Sequence, residues 1–167
     1  MATALLIERS DIVKYTVLDG NTDTDKFIQF VLIAQDIHIQ QYLGTDLLEK
    51  LQADIIAGTL TGDYLALLNN YVKQMLIHWA LVEYLPYSAY TLANKGVYKH
   101  TAENSDGVSK NEIDFLTEKQ RTIAENYSQR FVDYICDNQS LFPEYNSNTG
   151  SDISPSSNST IGGWYLP

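Results

Sequence analysis

Three histidines, His38, His78 and His100, one cysteine, Cys136, and an acidic series, Asp19, Asn21, Asp23 and Asp25, are the side chains whose types could ligate a metal, attack a substrate or move a proton. A metal site needs several His, Cys or carboxylate ligands at defined spacing, and the three histidines sit on separate elements with no second His or Cys at that spacing. His38 and His78 fall on apolar stripes and read as core or interface histidines. The acidic series imitates the start of an EF-hand loop, yet the sixth position, where the sharp turn needs Gly, is Thr24. The twelfth position, where a bidentate Glu closes the coordination sphere, is Phe30. These residues read instead as an acidic turn entering a helix, whose positive N-terminal dipole carboxylates complement. Cys136, within Tyr134-Ile135-Cys136, reads as a small buried hydrophobe with no base to activate it. Gly44, Gly58 and Gly62 are too far apart for a phosphate loop, and no Gly-x-Ser-x-Gly occurs. Carboxylates such as Glu49 and Asp54 read as solvated helix faces. No catalytic residue, metal or cofactor is therefore assigned, and the expectation is a non-enzymatic protein.

The elements that carry these residues are mainly helical, and the expected fold class is all-α, a small helical bundle. After a lead-in to about residue 22, in which Asp11–Val17 is a short strand or one helical turn, a first helix is expected from about Thr24 to Leu43. Phe27, Val31, Ala34 and His38 form one stripe, and Ile28, Phe30, Leu32, Ile33, Ile37 and Ile39 extend it nearly all round. Such a helix is central in its domain or packed on both sides. Gly44 supplies a stop by positive φ, and Thr45 caps a second helix to about Ala57, ended by Gly58. A third helix runs from Gly62-Asp63 to Leu85, with a seam of Tyr64, Leu68, Tyr71, Met75, His78, Val82 and Leu85. Pro86 should kink or end it, and Tyr87–Ala93 reads as one more helical segment.

A polar excursion from Asn94 to Gly107 follows, with Val97–Thr101 as one strand of a short β-hairpin-like loop and Asn104–Gly107 as its turn. Ser109 and Glu112 are placed as a capping box for a long last helix reaching about Asn138, with Ile113, Leu116, Gln120, Ile123, Tyr127, Phe131 and Tyr134 at helical spacing. Residues 1–138 thus form the helical domain. Residues 139–167 read as a flexible, extended C-terminal docking tail, rich in Ser, Asn, Thr and Gly and without Lys or Arg. Its aromatic end, Ile161-Gly162-Gly163-Trp164-Tyr165-Leu166-Pro167, has the composition of a binding anchor.

A net charge of -10 and no dense basic run argue against binding DNA through its phosphates. A lone cysteine excludes an internal disulfide framework and suits a reducing compartment. No signal peptide and no spanning segment are read, so no membrane is expected. The chain has 12 Tyr, a residue that suits interfaces as well as cores because its ring is apolar and its hydroxyl polar.

The order of parts, with Tyr42-Leu43-Gly44-Thr45-Asp46-Leu47-Leu48-Glu49-Lys50-Leu51 at a helix junction and Asn94-Lys95-Gly96-Val97 and Ser105-Asp106-Gly107-Val108-Ser109 before the last helix, resembles the head–tail connector (adaptor, or neck-ring) proteins of tailed bacteriophages. The wording is similar to those of Bacteroides-infecting phages, the crAss-like group included, over most of residues 20–140. The resemblance implies a structural virion protein forming a homo-oligomeric ring, commonly of about twelve copies. That ring lies beneath the portal, joins capsid to tail and continues the channel through which genome DNA passes without specific binding. It implies a virion location at the neck, with host cytoplasm during assembly. The partners are the portal protein and the next neck or tail ring protein. The portal anchor maps onto Ile161, Trp164, Tyr165 and Leu166, and the tail-side loop onto Lys95, Val97, Tyr98, His100 and Asp106. The alternative class is a small helical adaptor or regulatory protein that binds a partner through its C-terminal tail and forms no large ring.

Overall fold

The computed structural model describes residues 4–16, 24–88, 90–93, 96–99, 109–147 and 152–156, and these build an all-α fold with one short two-stranded ribbon. The lead-in forms a short helix, α1 (Arg9–Tyr15), tied to the bundle by an ion pair of 2.9 Å between Asp11 and Lys73. The expected first helix is present as α2 (Thr24–Ala34), a π-helical turn Gln35–Ile39, and α3 (Gln40–Leu43). The wide turn coincides with Gln35, a fully buried polar side chain. Its amide accepts the Leu6 N–H and donates to the Ala4 carbonyl, both at 3.1 Å, so it supplies the partners that an edge strand would.

Gly44 breaks the helix at φ 76, and α4 (Thr45–Ala57) starts at once. The residue in the N-cap position is Gly44, not Thr45 as expected, and the Thr45 hydroxyl accepts the Ile153 N–H instead. Gly58 ends α4 in the left-handed conformation at φ 67, where glycine carries no Cβ penalty.

The third helix comprises α5 (Gly62–Leu67), a second π-helical turn Leu68–Val72, and α6 (Lys73–Ser88). It runs two residues past Pro86, because the proline falls in the last turn and deletes a single backbone bond. The Ser88 hydroxyl closes that end on the Leu85 carbonyl at 2.7 Å. Residues Tyr90–Ala93 are a strand, β1, and not the helical segment expected there. It pairs antiparallel with β2 (Gly96–Lys99), from Tyr90 opposite Lys99 to Ala93 opposite Gly96. The turn expected at Asn104–Gly107 lies outside the described residues.

Ser109 and Glu112 form the reciprocal capping box, and α7 (Lys110–Asp137) follows for 28 residues. The Ser109 N–H donates to the Glu112 carboxylate at 2.7 Å, and the Glu112 N–H donates back to the Ser109 hydroxyl at 3.4 Å.

The core places α6 at the centre. Met75, Leu76, Ile77, Trp79, Ala80, Leu81 and Val82 are all buried, so this helix is covered on every side, by α2 and α7 in particular. The first helix, expected to be the one packed all round, instead leaves Ile28, Ile33 and Ile37 exposed. On α7 the buried stripe is Ile113, Ala124, Ser128, Phe131, Val132 and Ile135. Leu116, expected on the seam, points outward, and so does Cys136, expected to be buried. Cys136 follows Ile135 by about 100° of helix rotation, which carries it off the stripe.

The packed body does not stop at Asn138. A 3-10 turn, Gln139–Leu141, leads to a short α8 (Pro143–Ser147). Phe142 is 0% exposed and Tyr145 is buried in the same core. Phe142 receives the edge of Tyr64 at 5.4 Å between ring centroids. The composition of residues 139–147 suggested a tail, but two aromatic side chains provide enough apolar burial to hold this stretch against α4 and α5.

Candidate interaction surfaces

Among the described residues no group of three or more His, Cys, Asp or Glu could hold a metal ion. His38 and His78 are half-buried struts. His38 stacks on Trp79 at 3.9 Å and meets the Glu83 carboxylate through Nε2 at 2.9 Å. His78 stacks on Tyr127 at 5.0 Å, with Nδ1 against the Gln120 amide oxygen at 3.1 Å. Burial holds its pKa below the ordinary histidine value, partly offset by the Gln120 hydrogen bond. Both rings lie in helix–helix seams, which accounts for their place on apolar stripes.

Several tyrosines serve those seams too. Tyr71 stacks on Tyr134 at 4.2 Å, and Tyr84 packs its edge against Phe27 and Phe30. The Tyr64 hydroxyl donates to the Glu144 carboxylate, joining α5 to α8, while Lys50 lies 5.2 Å from the Tyr64 ring centroid. Burial, and then the bond to Glu144, push the Tyr64 pKa up. Much of the tyrosine excess is thus internal mortar.

The second feature is a strap formed by residues 152–156. The Thr45 N–H, one of the donors left free at the start of α4, donates to the Ile153 carbonyl at 3.0 Å. The Ile153 N–H donates to the Thr45 hydroxyl at 3.1 Å, and the Ser156 N–H to the Gln41 carbonyl at 2.9 Å. Gln40 bonds Asp152 at 3.0 Å. The break at Gly44 leaves polar groups of two helix ends unpaired, and a stretch of chain more than a hundred residues away in sequence satisfies them.

Among the described residues, two exposed apolar surfaces stand out. One lies on α2 and its π-helical turn at Ile33 and Ile37, the last 57% exposed. Ile28, on another face of α2, lines a cleft with Leu5, Ile7, Glu8, Arg9, Ile12 and Val31. The other is at the start of α7, where Phe115 is 70% exposed and, with Leu116, Asn111 and Glu112, lines a shallow hollow. The sequence pattern did not single out Phe115, and its only signal was an aromatic ring off the helical stripe.

Of the residues that the connector resemblance assigns, Val97 and Tyr98 lie on β2. Lys95, His100 and Asp106, and the anchor residues Ile161, Trp164, Tyr165 and Leu166, lie outside the described residues. No described helix is long and apolar enough to cross a membrane.

No curated protein and no solved structure matches the chain significantly. One protein family does, over residues 39–155, a span that runs from the end of the first long helix to the strap that closes over the Gly44 junction. That match covers well over half of the sequence, and the chain belongs to this family, the family of unknown function DUF6712.

Proposed function

We propose that this protein is a structural subunit of the head–tail connector of a tailed bacteriophage, assembling as a ring beneath the portal. The observation that carries the reading is the presence of two different exposed apolar surfaces on one small acidic subunit. Ile33 and Ile37 lie on one face of α2 and its π-helical turn, and the Phe115 and Leu116 patch lies on α7. Two unlike surfaces suit a head-to-tail contact between copies, and a head-to-tail contact that closes makes a ring. The long α7, about 42 Å at about 1.5 Å per residue, is a suitable stave for such a ring. A net charge of -10 suits a channel through which DNA must slide without sticking.

In this reading the ribbon β1–β2 and the chain up to Gly107, with Lys95, Val97, Tyr98, His100 and Asp106, form a hairpin-like loop facing the next ring toward the tail. The extended segment beyond Ser156 presents Ile161, Trp164, Tyr165 and Leu166 to the portal. The protein then resides at the virion neck and has no catalytic role.

The test is co-sedimentation with the portal ring encoded beside it. Saturable binding at one subunit per portal chain, with a ring visible on particle averaging, is the expected result. An isolated chain that stays monomeric and does not bind the portal overturns the reading in favour of a small helical adaptor.

A further inference from the structure

Gly44 is the single residue between the helix of residues 24–43 and α4, and its φ of 76 and ψ of 162 belong to neither helix. The strap lands on both sides of it. Asp152 and Ser156 bond Gln40 and Gln41, which lie in the last turn of the first helix, and Ile153 bonds Thr45, which opens the second. Two of the groups so paired find no partner inside their own helices. The Thr45 N–H is a free donor at the start of α4, and the Gln41 carbonyl is a free acceptor at the end of α3. The matched family span, residues 39–155, begins beside this seat and ends within the strap, so the clasp joins the two ends of the shared unit.

The strap is seated by polar bonds at the surface and not by burial. Asp152, Ile153 and Ser154 are exposed, and Pro155 and Ser156 are half-buried. Ile153, its largest apolar side chain, takes no part in the core, whereas Phe142 and Tyr145, earlier in the same C-terminal stretch, belong to it. Bonds of this kind exchange for bonds to water at small net cost. A segment with few buried apolar contacts opens at a much lower free energy than the whole fold.

We propose that residues 152–156 are a latch. The segment opens and closes over the Gly44 junction as a unit of its own while the helical body stays folded, and its closure fixes the point from which the chain beyond Ser156 leaves the subunit. Closed, that point lies beside Gln41. Open, Ser156 is tethered to the end of α8 at Ser147 and ranges as far as about 30 Å from it, at about 3.3 Å per residue. The latch rests on the strap and its seat alone, and it holds or fails independently of the connector reading.

The experiment is amide hydrogen exchange on the full chain, read residue by residue with increasing urea below the unfolding transition. The Thr45, Ile153 and Ser156 amides are expected to share one protection factor. It should lie at least about tenfold above the unprotected rate and at least about a hundredfold below that of Leu76 and Ile77 in α6, and show no urea dependence where α6 does. Two variants separate the units. Thr45→Val removes the hydroxyl that accepts the Ile153 N–H and is expected to lower protection at Ser156 by about fivefold. Ser128→Ala removes the acceptor of the buried Trp79 indole N–H and is expected to lower protection in α6 by at least about fivefold, with the latch amides unchanged. Latch amides that exchange at the unprotected rate overturn the proposal, because no closed state then exists. Latch amides that follow α6 in protection, in urea dependence and in Ser128→Ala also overturn it, because the strap is then part of the body. A Ser156 amide indifferent to Thr45→Val overturns the assigned seat.

Discussion

The indole N–H of Trp79 on α6 donates to the hydroxyl of Ser128 on α7 at 3.0 Å, and that hydroxyl donates onward to the Ala124 carbonyl at 2.9 Å. Both side chains are buried, and the other face of the indole region is covered by His38 from the first long helix. One serine therefore completes the hydrogen bonding at the place where the three long helices meet. Ser128→Ala leaves the indole donor unpaired and is expected to destabilise the fold by about 1–3 kcal/mol, read from the urea midpoint at unchanged slope. A change within experimental error would show that the indole finds another acceptor.

Gln35 is the corresponding device for the N-terminal segment. Gln35→Leu removes the acceptor for Leu6 and the donor for Ala4, leaving two backbone groups without those partners. The expected result is faster amide exchange at Leu6 than in the unaltered chain, with protection in α6 and α7 retained. Unchanged exchange at Leu6 would mean that Gln52, which also reaches the Ala4 carbonyl at 3.4 Å, and the apolar packing of Leu6 and Ile7 hold the segment alone.

His78 makes stability depend on pH. Its folded pKa is lowered, chiefly by burial, so between the unfolded value of about 6.5 and the lower folded value the unfolded chain binds more protons. Its contribution is fully present above about pH 6.5 and is lost as the pH falls through that window. His78→Gln is expected to flatten the stability profile just below pH 6.5, measured by denaturant titration at a series of pH values. An identical slope in both proteins would contradict this account.

Phe142 and Tyr145 should behave as core residues. Phe142→Ala is expected to cost about 3–5 kcal/mol, the range for emptying a buried aromatic site. Removing everything after Asn138 should be worse still, whereas ending the chain after Ser156 should leave the thermal midpoint within a few degrees. A chain ending at Asn138 that unfolds at the unaltered temperature would restore the tail boundary at that residue.

Cys136 should react with a thiol reagent at one equivalent per chain in the native state, at a rate insensitive to stability, since its side chain is exposed on α7. Reaction only on unfolding would place it in the core after all.

The parts of this fold legible in the sequence are those governed within a few residues. The stops at Gly44 and Gly58 follow from backbone conformations that glycine adopts at no steric penalty. The box of Ser109 and Glu112 follows from a spacing of three at a helix start. The lengths of the long helices follow from apolar periodicity between such signals. What periodicity cannot tell is which apolar side a neighbour covers. Ile33 and Ile39 look alike in the sequence, yet one is exposed and the other fully buried, because only the second faces the central α6.

The same limit explains Leu116 and the tail boundary, each of which depends on contacts with a distant element. The interaction surfaces show the division most clearly. The amino-acid order by itself determined an acidic, helix-rich chain with an aromatic C-terminal end. The tertiary structure alone decided that residues 152–156 seat on the Gly44 junction and that Ile28, Ile33, Ile37 and Phe115 face outward. Cap and turn chemistry acts along the chain over one or two turns. Burial and the pairing of free helix ends are settled by residues that can lie more than a hundred positions away, and only folding brings those together.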